Sequence, residues 1–447
     1  PIAVSGLHEA IEFADEPETL WLQPGQGGEY ASGVAATGEG GYYVAGAFTG
    51  STSIGIYELK AVGRTDSFVA KFDSAGTCQW ANRFGGFDQD FAHSVTVGPD
   101  GVAYVIGYFR GSASFGSYNL QSAGDYDVYF LRLEPDGQIS WAVRLGGILD
   151  DYGKAVHASK DGSLYLAGHF RDVVSFGTSS LTSAGGEDAF LAKVNAVDGS
   201  FAWVQRMGGL GSDRALDLAG DGAGGVTLAG RFEGTTAFGS HSLVSSGFGD
   251  AFVANYDASG ACLFASSAGG EGEDEARAIV RTTAGTYFLA GSFRVSATFG
   301  GHALPSRGGS DAFLAWLTPQ GGFSSVTSIG GVWSDEALGL ALDPKENPIL
   351  AGSFRGTVTL GGKTFVSAGD ADAFVAKLDD ANASVIWAKT GGGSGADAAR
   401  SVAVDIESNR VCLAGYVSPG ATFDHHQATG VTTRRSLLVA DLGYRDD

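Results

Sequence analysis

The sequence predicts an all-β fold, a seven-bladed β-propeller with four antiparallel strands per blade, its ring closed by an N-terminal strand that completes the last blade. Three observations lead there. A glycine after the second apolar run of a repeated unit recurs at Gly46, Gly107, Gly168, Gly230, Gly291, Gly352 and Gly415, with spacings of 61, 61, 62, 61, 61 and 63. A fixed period of this length outweighs any prior drawn from chain length, so the 447 residues are read as one repeat array. Each unit also carries four short runs rich in β-branched and aromatic residues, bounded by turn residues. Finally, the chain enters at the last strand of a unit and ends where that strand is missing.

Taken in order, residues 1–18 match no part of the repeat, carry five acidic side chains and read as an N-terminal arm. The array then occupies residues 19–447 as a single propeller. Residues 19–28, TLWLQPGQGG, align with TCQWANRFGG at 77–86 and QISWAVRLGG at 138–147, which are fourth strands. In the second copy strand a is AHSVTVG, strand b VAYVIGYF, strand c VYFLRLE and strand d ISWAVRL. The a-to-b turn is Pro99-Asp100-Gly101 and the c-to-d turn Pro135-Asp136-Gly137, both suited to antiparallel hairpins. The b-to-c connection takes about sixteen residues, often with a Phe-Gly pair such as Phe115-Gly116, and is expected to be the long loop of the unit. Runs such as LAGHF, FLAGSF and DAFVAKL are apolar on both faces and small, as stacked sheets require. At the far end SLLVADL is the last strand, and its missing neighbour is the one supplied by residues 19–28. A parallel β-helix, the rival architecture, has no need of hairpin turns or of a unit split between the two ends.

The motif GG-x3-D, a D-G or G-G turn, Y-x-A-G-x-F, FG, G-x-D-A-F-[VL]-A-K-[LV]-[DN] and W resembles the bacterial seven-bladed propeller repeat (SBBP repeat) family over residues 19–442. That resemblance implies secreted or surface-attached bacterial proteins with no established common activity. The match weakens in the last copy, where Arg434-Arg435-Ser436 replaces G-x-D-A, and Phe264 and Ser325 stand near the tryptophan position of two copies.

Composition narrows the function. Fifty acidic against 28 basic side chains give a formal charge of −22, which repels phosphate backbones and anionic lipid and disfavours nucleic acid as a partner. No apolar run approaches the ~20 residues that cross a bilayer, so a soluble chain without membrane insertion is expected. The start at Pro1 without methionine implies a removed leader or a trimmed start. Cys78 and Cys262 occupy the same repeat position in different units and Cys412 another strand, so three free, mostly buried thiols are expected.

Two aspartate series are the most regular polar features. One lies four positions after the second glycine of GG, at Asp90, Asp151, Asp213, Asp274, Asp335 and Asp397, with Ser32 in the first copy. The other opens strand c, at Asp66, Asp127, Asp188, Asp250, Asp311 and Asp372. In a propeller the d-to-a and b-to-c connections share a face, so both series should gather there with Arg110, Arg171, Arg294 and Arg355. Each aspartate either caps backbone N–H groups and pairs with a neighbouring arginine, or belongs to a binding surface, or takes calcium. No loop has EF-hand ligand spacing, and neither a metal nor another cofactor is assigned. His425-His426 beside Asp424, His241 and His302 read as solvated loop histidines. No nucleophile elbow, zinc-protease helix, paired CxxC or phosphate loop occurs, and no catalytic residue is assigned. Trp21, Trp80, Trp141, Trp203 and Trp387 recur at one strand position and read as packing between blades, whereas Trp333 lies in a GG loop as a binding contact.

The expectation is therefore a non-enzymatic extracellular or cell-surface scaffold or adhesin, binding a protein or polymer through the b-to-c face. The residues expected to bind are Asp90, Arg110, Asp127, Asp151, Arg171, Asp188, Asp213, Asp274, Trp333, Asp335 and Asp397. A lectin with repeated sites is the alternative, and a propeller hydrolase or lyase a weaker one.

Overall fold

A computed structural model describes residues 18–24, 28–423, 426–427 and 435–443. Residues 1–17 of the expected arm, His425, Asp424 and Arg434 lie outside the described residues, and Glu18, expected in the arm, opens a strand. Within them the fold is an all-β propeller of antiparallel four-stranded sheets. In the second copy strand a (Asp90–Val97), b (Ala103–Phe115), c (Tyr118–Leu133) and d (Ile139–Leu145) pair in that order, a with b, b with c and c with d. The same a-b-c-d order recurs from Glu29–Ala36 in the first copy to Val385–Gly392 in the sixth. In the last copy Ala398–Asp405, Arg410–Val417 and Ser436–Gly443 supply a, b and c, and the strand pairing with Ser436–Gly443 is Glu18–Pro24.

Strands b and c are covered on both faces. Val226–Phe232, Asp250–Tyr256 and Asp372–Leu378 are buried at every position. Their apolar side chains meet those of the next sheet: Tyr43, Val69 and Phe84 of the first copy pack with Phe109, Phe115 and Tyr129 of the second. Tyr42, Phe48 and Phe68 pack in turn with Cys412, Leu437 and Val439 near the chain's other end. The inner strands a lie side by side in chain order, and Ala398–Asp405 touches Glu29–Ala36 as well as Glu336–Leu342. A cavity lined by residues of all these a strands runs between them.

The expected a-to-b and c-to-d turns are tight, closed by Gly101 N–H to the Gly98 carbonyl at 3.0 Å and Gly137 N–H to the Glu134 carbonyl at 2.9 Å. The b-to-c connection corrects the expectation of a long loop. It is a second β-hairpin, in which strand b runs on past Arg110 and returns through Gly116, pairing Ser112 with Gln121 and Phe115 with Tyr118. Gly116 turns the chain at φ 61°, a conformation that costs side chains bearing a Cβ, and Gly177, Gly239 and Gly300 repeat it at 60°, 59° and 60°. In the second to fifth and seventh copies the hairpin pairs back to the preceding sheet, as Gly85 with Ser114 and Gly86 with Ala113, whereas those at 51–60 and 357–366 form separate two-stranded sheets. Sheets radiating from a common axis diverge at their outer edges, and the hairpin fills that wedge with Phe115, Phe176, Phe238 or Phe299, each 0–1% exposed.

Candidate functional site

The d-to-a and b-to-c connections do share a face: parallel bridges join Thr65 to Gln89, Gly249 to Glu273 and Ala371 to Ala396. Both aspartate series sit at its base, turned inward. Asp90, Asp151, Asp213, Asp274, Asp335 and Asp397 are 0–1% exposed. In each, Oδ2 accepts the N–H of the second glycine of GG, at 2.7 Å for Gly86, 2.6 Å for Gly147, 2.8 Å for Gly209 and Gly270, 2.7 Å for Gly331 and 2.9 Å for Gly393. In five of the six Oδ1 takes a second N–H from near the end of strand b or just beyond it, as from Arg171 to Asp151 at 3.3 Å and from Arg294 to Asp274 and Arg355 to Asp335 at 3.1 Å. One carboxylate thereby staples the loop entering strand a to the end of strand b.

The second series is equally buried. Asp127 Oδ2 accepts the Ala123 N–H at 3.0 Å and Asp188 the Ala184 N–H at 3.0 Å. Strand d adds Arg83 to Asp66 at 2.5 Å, Arg144 to Asp127 at 2.5 Å and Arg206 to Asp188 at 2.8 Å. In the copies of Asp250, Asp311 and Asp372 the strand d position of that arginine, opposite Phe252, Phe313 and Phe374, is held by Ser267, Ser328 and Thr390. The first glycine of GG stands against these carboxylates, since a Cβ on Gly146 would lie 2.3 Å from the Asp127 carboxyl carbon. Burial, with Asp66 and Asp127 nearby as the next raising influence after backbone bonds that lower it, pushes Asp90 up to about 7 and Asp151 up to about 8. Burial raises Asp213, Asp274 and Asp335 to about 6.

Above this base the face is exposed and chemically mixed. Arg110 pairs with Asp125 at 2.7 Å, Arg171 with Glu187 at 3.0 Å, Arg294 with Glu273 at 3.7 Å and Arg355 with Asp370 at 2.9 Å, all four arginines half-exposed. The residue after GG is apolar and open to solvent in four copies: Phe87 at 79%, Ile148 at 67%, Leu210 at 87% and Val332 at 74%. Phe248 is 79% and Trp333 56% exposed on the same face. Trp333 rests against Gly356, and the Arg355 guanidinium lies 5.2 Å from its ring centroid.

Inside this face lies a feature that periodicity did not reveal. Every strand a carries a β-bulge, an extra residue between two paired ones, falling at Ser32, His93, Lys154, Leu216, Arg277, Leu338 and Arg400. Bulges re-aim side chains, and all seven line the central cavity of about 380 Å³. The recurrent glycine of strand b is the counterpart. Bulging brings the carbonyl of the residue two before onto it, so a Cβ on Gly107 would sit 1.9 Å from the Phe91 oxygen and 2.9 Å from Tyr129 Cε1. An interior strand glycine with a strict period was the available signal. Above the bulges a second cavity of about 450 Å³ opens between Tyr152, Arg214, Glu275 and Glu336. Around one side the rings of Tyr30, Phe91, Tyr108 and Tyr152 follow one another at 6.4, 5.0 and 4.9 Å.

Within the tryptophan series, Trp80 and Trp203 reach across to the next sheet. Trp80 Nε1 donates to the Pro135 carbonyl at 3.0 Å and Trp203 Nε1 to Ala258 at 3.1 Å, each a c-to-d turn of the next copy. Where Ser325 stands at the tryptophan position, Trp316 of the adjacent strand makes the bond instead, to Asp380 at 2.7 Å. Cys78, Cys262 and Cys412 are free, Cys262 partly exposed, and burial pushes the first two thiols up to about 12 and about 11. Among the described residues no group of three or more His, Cys, Asp or Glu side chains is arranged to hold a metal ion. No described helix is long and apolar enough to cross a membrane.

No family model matches the chain. It is 24% identical over 428 residues to the regulatory protein FlaEY of Caulobacter vibrioides, covering 89% of this chain and 43% of that protein. It is 25% identical over 200 residues to an uncharacterized WD repeat-containing protein, L264, of Acanthamoeba polyphaga mimivirus, covering 37% of this chain and 14% of that one. The chain thus spans less than half the length of the curated relatives it matches. Among solved structures it is similar to the WD40 repeats of RRP9 (TM-score 0.47, 10% identity, 96% and 99% of the two chains). The Neurospora crassa Pan2 WD40 domain is similar at TM-score 0.46 and 10% identity, over 92% and 89% of the two chains.

Proposed function

We propose that the protein is a non-enzymatic interaction scaffold that engages a protein or polymer through the d-to-a and b-to-c face. The observation that carries this reading is the arc of solvent-open apolar residues Phe87, Ile148, Leu210, Phe248 and Val332 beside Trp333, set among half-exposed Arg–carboxylate pairs. Repeated exposed apolar side chains set among ion pairs on one face suit a partner that covers them. The reading includes a ring of seven blades with Glu18–Pro24 as its closing strand, supported by that strand's pairing with Ser436–Gly443 and by the unbroken succession of inner-strand contacts. It also includes the bacterial, secreted or surface setting implied by the repeat's resemblance, which fractionation of the producing cell tests. The −22 charge supports a partner other than nucleic acid.

The experiment is affinity capture from the envelope fraction with the full chain, an F87S/L210S/W333S variant, and V197S/L263S on surfaces away from the arc. A partner enriched by the full chain and by V197S/L263S, and lost with the triple variant, is the expected result. Capture that the triple variant retains overturns the assignment of the face. Saturable binding of one sugar at several equivalent sites on a glycan array replaces the scaffold with a lectin.

A further inference from the structure

The geometry points to a second site, distinct from the outer face: the central channel binds a small multivalent oxyanion, with Lys154, Arg277 and Arg400 as its donors, while the His93 Nδ1 proton is held by the Lys154 carbonyl at 2.9 Å. These three and His93 are bulge residues of different inner strands, so the backbone itself turns them into one cavity of about 380 Å³. The other bulge residues are Ser32, Leu216 and Leu338, and none of the seven is acidic in a chain of net charge −22. A random draw from this composition favours carboxylates, and the layer holds only cations and neutral groups.

Lys154 and Arg400 are crowded by neighbouring cations and under-compensated. Burial, then Arg400, Arg214 and Arg277, push Lys154 down to about 8, and burial followed by Lys154 and Arg400 holds His93 well below its ordinary value. Among the described residues no carboxylate is ion-paired with Lys154 or Arg400. Their neighbours are aromatic faces, Tyr108 and Tyr152 at 5.2 and 5.3 Å from Lys154 Nζ and Tyr30 at 5.7 Å from Arg400 Cζ. Of the nearby carboxylates, Glu275 pairs with Arg277 itself at 2.8 Å, Glu187 holds Arg214 at 2.5 Å, Asp217 accepts the Ile279 N–H at 2.8 Å, and Glu336 lines the adjoining cavity. Like charges in a partly desolvated channel repel strongly. An oxyanion bridging them relieves that repulsion and gains charge-assisted hydrogen bonds. The ligand class is a polycarboxylate or a phosphate compound small enough for the channel.

Isothermal titration of the full chain with citrate and with pyrophosphate, each at ionic strength matched by sodium chloride, tests the site. Saturable binding of one ion per chain is expected, the tighter probe naming the carboxylate or phosphate source. R277Q/R400Q should weaken binding by about tenfold or more, and the outer-face R110Q/R355Q should leave it unchanged. K154M, which removes a crowded charge, should fold, melt at or above the full chain and still bind more weakly. Absence of saturable binding by either probe overturns the site, as does undiminished binding by K154M or R277Q/R400Q. F87S/L210S/W333S keeps anion binding, so failure of the outer face and failure of the channel are separable.

Discussion

At the scale of single residues, the aspartates below the exposed face are internal staples whose carboxyls burial has pushed upward. Folding raises Asp90 to about 7 and Asp151 to about 8, above their unfolded value, so the folded chain binds more protons between those limits. That stability is complete below the unfolded pKa and is lost as pH rises through 7 to 8. His157, held down at about 4 by burial, contributes the opposite dependence, but only below its unfolded value of 6.5. Lys154, at about 8, has its effect above that pH. Between pH 8 and 6.5 the aspartates therefore dominate. Acidification across that window should stabilise the protein by about 2 kcal/mol in denaturant titrations, and D90N/D151N should flatten the dependence. A fall in stability over the same window contradicts the assignment. The positions of both series were legible from the repeat. Their role was less so, because the same spacing serves a binding ring and a backbone cap, and only the direction of the carboxylate, onto Gly86 or Gly147, separates them.

At the scale of elements, two devices escaped the residue pattern. The bulge adds one residue to a strand of seven or eight, too little to break an apolar alternation visibly, yet its opposing glycine recurs in all seven copies at spacings of 61 to 63. G107A should cost about 3 kcal/mol or more by equilibrium denaturation, because a Cβ there meets the Phe91 oxygen at 1.9 Å. The substitution proving neutral would mean that the bulge is absent. The hairpin between strands b and c was read as a loop because its two arms are only about four residues each and its outer face is polar. Its buried Phe115 contacts Phe84, Phe109 and Tyr129 with ring centroids at 6.2, 5.8 and 4.5 Å. F115A should therefore cost about 3–5 kcal/mol, and the amides of Ser112–Phe115 should exchange slowly. Free exchange with an undestabilised F115A would restore the loop.

At the scale of the whole molecule, repetition and departure from it have different tasks. The strand order, the tight turns and the apolar sheets were readable because every copy repeats them. The channel was not, since His93, Lys154, Arg277 and Arg400 share a position but not a residue type, and the apolar arc likewise varies from Phe87 to Ile148, Leu210 and Val332. The proposed binding surfaces lie where the copies differ, and the sheet scaffold lies where they agree. Both readings rest on a ring joined through Glu18–Pro24 and Ser436–Gly443, paired from Glu18 with Gly443 to Pro24 with Leu438. The most direct measurement compares the full chain with one lacking residues 1–24, by thermal melting and hydrogen exchange. A closed ring predicts a lower melting temperature and lost amide protection across Leu437–Leu442, whereas identical melting with protection intact contradicts closure.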